Sequence, residues 1–233
     1  MKDKVTAIVL AAGQGKRMES DIQKQYMELN GRPLIYYALR AFEESTVDEI
    51  ILVVGSGEKH YCQTEIVEAF GFGKVMQIVE GGRERYHSVY EGLRAIHRSD
   101  YVLIHDGARP CVTGKIIEDA IAGAKTYGAC AVGMPVKDTI KIADGAGFAE
   151  STPDRSRLWM IQTPQAFSYS LIYDAYSHLL ESESNPIGVT DDAMVVESMT
   201  LKPVKLIRGS YENLKVTTPD DLLLAGVLLS YLN

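Results

Sequence analysis

Cysteine, tryptophan, positive charge and long apolar runs are what this chain has least of. Its three cysteines, Cys62, Cys111 and Cys130, are widely spaced, odd in number and never in a C-x-x-C pair. That excludes a disulfide-stapled scaffold and leaves reduced, buried thiols of a cytosolic protein as the expectation. The five histidines fall in no H-E-x-x-H or comparable ligand spacing, so zinc is not expected. No apolar run approaches the roughly 20 residues of a membrane helix. With 24 Lys and Arg against 31 Asp and Glu, the net charge is −7. Such a surface does not reward binding to nucleic acid or anionic membranes, so no partner of either kind is expected. Any phosphate chemistry has to rest on a local cluster of cations.

At 233 residues the chain lies between one large domain and two small ones, at roughly 150 residues per domain. A fold of this size buries about 70% of its unfolded surface and needs no staples. No repeat or Gly/Pro/Ser-rich linker divides it, so a single domain over 1–233 is expected. Lys2 and Lys4 followed by an apolar run to Ala12 imitate a secretory signal. The run sits at the short end of the ~7–15 residues such signals use, and it is β-branched at Val5, Thr6, Ile8 and Val9. It reads as a first strand, in a cytoplasmic protein.

Short apolar runs then alternate with helical patterns. The helix "RPLIYYALRAFEES" is expected to carry Pro33 in its first turn and Leu34, Tyr37, Ala38 and Ala41 on one face. Further strands are expected at 49–55, 74–80, 101–107 and 129–136, with helices near 58–70, 84–97 and 114–127. Near-continuous apolar strands between helices imply an α/β fold with a mostly parallel sheet covered on both faces. Ligands of such sheets bind beyond the carboxyl ends of the strands, where strand order reverses. That directs attention to Gly13–Lys24, Gly81–Ser88 and Asp106–Arg109.

The segment 137–160 breaks this rhythm and reads as a projecting β-hairpin arm, with its turn at Asp144–Gly147. A lone two-stranded arm is marginal in water, so packing on a second subunit is expected, with a solvated surface hairpin as the alternative. After it come "LWMIQTPQAF", a helix near 168–181, a loop at Asn185–Gly188, a helix after Thr190, the strand-like "PVKLIRG" and a last helix after "TTPDD". Thr190 as N-cap, with Asp191 and Asp192 in the first turn, is explained by the helix dipole. Tyr36, Tyr37 and Trp159 read as packing.

The stretch "AIVLAAGQGKRM" (7–18) is the sharpest local signal. A dinucleotide fingerprint needs a small third residue where Met18 stands, and the Walker loop fails because Gly13 and Gly15 are too close and Arg17 follows Lys16. What remains is a flexible turn whose backbone N–H groups can face an anion, with Lys16, Arg17 and Lys24 adding charge.

"AAGQGKRM" followed by "KQY" is similar to the signature of the sugar-nucleotide pyrophosphorylase and cytidylyltransferase superfamily. Within it, "GGRERYHSVYEGL", "LIHDGARP", "PVKDTIK", "LWMIQTPQAF" and "NLKVTTPDDL" resemble the 2-C-methyl-D-erythritol 4-phosphate cytidylyltransferase family, over essentially the whole chain. The resemblance implies a Rossmann-like fold of the nucleotide-diphospho-sugar transferase type, and a homodimer whose arms reach into each other's sites. It implies attack of the methylerythritol phosphate on the α-phosphorus of CTP, with loss of pyrophosphate, in the non-mevalonate isoprenoid pathway. Mg²⁺ is implied as well, held mainly by the CTP phosphates and with no protein ligand assigned.

Residue by residue, the resemblance makes Arg17 and Lys24 the stabilisers of the transition state. Arg155 and Lys215 hold the attacking phosphate, Arg155 reaching the neighbouring subunit from the end of the arm, with Arg157 close enough to compete. Asp106 takes the methylerythritol hydroxyls, with Arg109, Thr139 and Thr163 nearby. Ala11, Ala12, Gly13 and Gly15 lend backbone groups to the nucleotide, and Gly82, Arg85 and Ser88 complete its pocket. Arg83 departs from the family, which often carries an acid there. The nearest rival is a ribitol- or other polyol-phosphate cytidylyltransferase, against which "DGARP" and "VKDTIK" speak. A catalytically silent nucleotide-binding regulator would not need Arg17, Lys24, Asp106 and Lys215 together.

Overall fold

The computed structural model describes residues 2–13, 23–181 and 188–232. One seven-stranded sheet runs through it, built from β1 (Val5–Ala11), β4 (Glu49–Val54), β5 (Val75–Glu80), β6 (Tyr101–Asp106), β7 (Ala129–Pro135), β10 (Trp159–Ser168) and β11 (Lys205–Arg208). Two-residue strands β2 (Glu28–Leu29) and β3 (Arg32–Pro33) form a small separate ladder, and β8 (Ile142–Ala143) pairs with β9 (Ala149–Ser151) in the arm. The main sheet has the order β11-β7-β10-β6-β1-β4-β5. Its β1, β4, β5 and β6 pair in parallel, as do β7 and β11, while β10 runs antiparallel to both its neighbours. The mostly parallel sheet read from the sequence is therefore present, with one reversed strand.

Alternation along β1 shows how both faces are covered. Ala7, Val9 and Ala11 join Leu39 and Phe42 of α1 (Leu34–Glu44) and Ile117 and Ala120 of α4 (Gly114–Tyr127). Ile8 points the other way, to Val89 and Leu93 of α3 (Arg85–Arg94) and Ile172 and Tyr176 of α5 (Tyr169–Glu181). That second face also carries Val195 and Val196 of α6 (Asp192–Thr200). Helix α7 (Pro219–Leu232) packs Ala225 and Leu229 against Leu29 and Leu34. The region after β4 winds through α2 (Lys59–Tyr61) into a π-helical stretch, Cys62–Glu68.

Three local expectations need correction. Pro33 precedes α1 as its N-cap, because its N-terminal side is already tied into the β2–β3 ladder. The buried face of α1 is Leu34, Ile35, Ala38, Leu39 and Phe42, since the helix is squeezed between sheet and neighbours; Tyr37 instead donates its hydroxyl to Leu29 O at 2.7 Å. The N-cap of α6 is Asp191, not Thr190. Helix α4, by contrast, starts and stops where read: Thr113 caps it, and Gly128 ends it at φ 78°, where a side chain would be strained. The three cysteines are free and buried. Most of the loop expected at Asn185–Gly188 lies outside the described residues.

The arm leaves β7 and returns to β10 at one neck. Val136 N–H donates to Leu158 O at 3.0 Å. Tyr211 donates its hydroxyl to Pro135 O at 2.8 Å, and the Lys137 ammonium lies 3.4 Å from the Tyr211 ring centroid. The arm's own side chains Ile142 and Phe148 are exposed.

Candidate active site

Strand order reverses beside β1: the chain proceeds from β1 to β4 and β5 on one side, then places β6 on the other. The crevice beyond the carboxyl ends of β1 and β6 is where ligands of such sheets bind. A cavity of about 1030 Å³ opens there. Ala11, Ala12 and Gly13 line it from β1, Gly81, Gly82, Arg85 and Ser88 from β5 and α3, and Asp106 and Lys215 from the far side, with Lys24 at its wall. Two predicted residues of the glycine loop, Gly15 and Arg17, lie outside the described residues.

Local structure explains how these groups converge. Gln23, Lys24 and Gln25 all line the cavity; Gln25 is buried and donates its side-chain amide to Ala11 O at 2.6 Å. This clasp ties the turn carrying Lys24 to the end of β1. Gly81 lies against β1 so closely that an added Cβ would sit 2.6 Å from Ala12 Cβ and 2.5 Å from Ser88 Oγ. Ser88 Oγ accepts from Gly82 N–H at 3.2 Å, so the glycine pair is held on the first turns of α3. Gly107 N–H donates to Leu10 O at 2.9 Å and holds the β6 exit against β1.

Asp106 ends β6 between two cations. Its Oδ1 lies 3.3 Å from Arg85 Nε and its Oδ2 2.8 Å from Lys215 Nζ. Burial alone would raise this carboxyl, but Arg85 and then Lys215 outweigh it and hold the group well below the usual carboxylate range. Arg85 is itself shared: its Nη1 and Nη2 donate to Asp192 at 2.7 and 2.8 Å. Burial opposes its charge, yet Asp192 and Asp106 together raise its pKa further. Asp192 is wholly buried. Asp192 is the first-turn acid expected from the sequence, but its carboxylate turns inward to Arg85, while Asp191 accepts from Met194 N–H at 3.0 Å as the cap.

Beneath Asp106, Thr163 Oγ1 accepts from the Asp106 N–H at 3.0 Å and lies 3.1 Å from His105 Nδ1. His105 Nε2 is 3.3 Å from Arg109 O. These contacts close if His105 carries its proton on Nε2, with Thr163 donating to Nδ1. Burial pushes the His105 pKa down to about 4. Arg109 is buried too, donating from Nη1 to Asn213 O at 2.7 Å. Thr163 and Arg109 thus stand behind the cavity wall, bracing its floor.

Thr139 and Arg155 are exposed on the arm and are not among the residues lining the cavity. Arg155 Nη1 donates to Lys137 O at 2.6 Å, and Arg157 shares its short 3-10 turn. Sequence reasoning missed Gln25, His105 and Asp192. It also missed Glu58, which lines the cavity and accepts from Tyr26 OH at 2.6 Å. Among the described residues no group of three or more His, Cys, Asp and Glu stands ready for a metal ion, and both Asp106 oxygens already face cations. No described helix is long and apolar enough to cross a membrane.

Comparison with known proteins agrees with this geometry. The sequence model of the family described as 2-C-methyl-D-erythritol 4-phosphate cytidylyltransferase matches residues 5–231. A protein of that name from Lachnoclostridium phytofermentans is 51% identical over 227 residues, 97% of each chain. Another from Alkaliphilus oremlandii is 49% identical, over 97% of this chain and 95% of that one. The crystal structure of 4-diphosphocytidyl-2C-methyl-D-erythritol synthase from Anaerococcus prevotii superposes with a TM-score of 0.85 at 34% identity, covering 98% of this chain and 96% of that one. Matching in sequence along nearly its whole length, and in fold around the same sheet, the chain belongs to the 2-C-methyl-D-erythritol 4-phosphate cytidylyltransferase family.

Proposed function

We propose that this enzyme transfers the cytidylyl group of CTP to 2-C-methyl-D-erythritol 4-phosphate, releasing pyrophosphate, as a step of the non-mevalonate isoprenoid pathway. The observation that carries the reading is the Asp106 carboxylate clasped between Arg85 and Lys215 in the same cavity as the Ala11–Gly13 turn and Lys24. The backbone groups of Ala11–Gly13 and Gly81–Gly82, with Ser88, hold the nucleotide. Asp106 takes the hydroxyls of the acceptor, and Lys215, which keeps N–H donors beyond its bond to Asp106, holds the acceptor phosphate.

An in-line displacement spreads negative charge over the equatorial oxygens of the α-phosphorus, and preorganised cations lower that barrier. Lys24 supplies one such charge, and Arg17 is proposed as its companion. The acceptor phosphate is already an anion, so no general base is required. Thr163 and Arg109 support the reaction by fixing the backbone around Asp106.

Mg²⁺ is proposed as the counter-ion of the CTP phosphates, held mainly by those phosphates. The enzyme is further proposed to be a cytoplasmic homodimer, the arm with its exposed Ile142 and Phe148 carrying Thr139 and Arg155 toward the partner's site. Pyrophosphate release is to be measured with CTP and Mg²⁺, offering methylerythritol phosphate and ribitol phosphate in parallel. Release with methylerythritol phosphate is expected. Release with ribitol phosphate alone would overturn the substrate, and release with neither would overturn the reaction.

A further inference from the structure

Asp192 opens α6 yet does not cap it. Asp191 does that, and its other oxygen accepts from the Gln165 side-chain amide at 3.0 Å. Asp192 instead accepts from the Tyr176 hydroxyl of α5 at 2.5 Å and from both Nη atoms of Arg85 at 2.7 and 2.8 Å. A fork-on-carboxylate pair of this kind fixes the plane of the guanidinium as well as its place. The edge that remains, Nε, faces Asp106 at 3.3 Å. A charge buried without a partner is strongly unfavourable, and the wholly buried Asp192 has Arg85 as its only ion-pair partner among the described residues.

We propose that Asp192, seated by Tyr176, is a positioning residue: it orients Arg85, and through Arg85 the Asp106 carboxylate, for nucleotide binding and transfer. The inference rests on the reading of the cavity as a CTP site. Without Asp192, the two Nη atoms would be drawn to Asp106 and compete with Lys215 for its oxygens. With Asp192 in place those atoms are committed, and Asp106 keeps one oxygen for each cation. The distance in sequence, 107 residues between Arg85 and Asp192, means that α3 and α6 must dock correctly before the site is set.

The test is a double-mutant cycle read by calorimetric CTP affinity in the presence of Mg²⁺ and by kcat/KM. Asp192→Asn keeps the side chain's size but turns an amide toward Arg85. Both readouts are expected to fall about 10–100-fold, the scale of a small misplacement at a reacting centre. In an Arg85→Gln background, Asp192→Asn should add less than about threefold, because its partner is gone. Losses that multiply, as from a general folding defect, overturn the proposal, and so does Asp192→Asn within about threefold of the parent. Tyr176→Phe leaves the ion pair intact and removes one hydrogen bond; it should cost about 2–10-fold, again only when Arg85 is present. If Asp192→Asn does not fold, that second comparison decides. A parent enzyme that binds CTP yet does not use methylerythritol phosphate overturns the proposed reaction, while the CTP-affinity cycle still decides the role of Asp192.

Discussion

Lys215 reaches from the segment between β11 and α7 to the end of β6, where its ammonium lies 2.8 Å from Asp106 Oδ2. The lysine side chain is 40% exposed, so the bond orients the ammonium without burying it. Lys215→Met keeps most of the stem and removes the charge. It is expected to lower kcat/KM roughly 10²–10³-fold, as for other preorganised charge-stabilising donors. Steady-state kinetics within a few-fold of the parent would remove Lys215 from the chemistry.

Lys24→Ala is expected to lower kcat by roughly 10²–10³-fold, with CTP binding retained through the backbone contacts of the Ala11–Gly13 turn. The proposed sharing of sites between subunits makes a further outcome specific. Mixing inactive Lys24→Ala and Arg155→Ala dimers should restore activity on subunit exchange, because one site of each mixed dimer is then intact. No recovery after exchange, checked by mass spectrometry, would argue that Arg155 does not serve the partner.

His105 makes stability depend on pH. Its folded pKa is depressed to about 4 by burial, whereas the unfolded side chain titrates near ~6.5. Between these values the unfolded chain binds the proton and the folded one does not, so stability falls as pH falls through the window. The full effect is about 3 kcal/mol. Asp106 is depressed as well; its contribution is present above ~3.9 and is lost only on further acidification. Urea unfolding between pH 7 and 4.5 should show the His105 slope, and His105→Gln should flatten it. An unchanged slope in that variant would assign the dependence elsewhere.

Gly81→Ala should damage nucleotide binding while the sheet still forms. The new methyl would meet Ala12 Cβ at 2.6 Å and Ser88 Oγ at 2.5 Å, forcing the ends of β1 and α3 apart. Overpacking of this kind costs about 1–3 kcal/mol. A Tm drop with weakened CTP binding is expected, and Gly13→Ala, where an added Cβ meets nothing within 4 Å, is the spatial control for stability.

The strands were legible because burial on both faces leaves uninterrupted apolar runs such as "EIILVV" and "YVLIHD", and those runs share their carboxyl-end placement with the site. The direction of β10 was not, since the apolar content of "WMIQTPQAFS" is the same read either way. Lys24, Asp106 and Lys215 were readable by their motifs, and the structure brings them to one cavity. Arg109 and Thr163 were named through the resemblance, but their places behind the wall depend on His105 and Asn213, contacts that no local pattern encodes. The partner of Asp192 was hidden for the same reason. An acid beside a helix start has a sufficient local explanation, and its actual partner is far away in the chain.

The reversed strand has a consequence for how this protein can change over generations. Because β10 runs against β7, Pro135 and Trp159 are partners across the ladder. The intervening chain leaves and rejoins the sheet at a single doorway, latched by Val136 and Leu158. Lengthening such an excursion adds little closure entropy, and nothing in the main sheet has to shift to accommodate it. The doorway is accordingly a place where the excursion can change in length or sequence while the sheet that carries the cavity keeps its register.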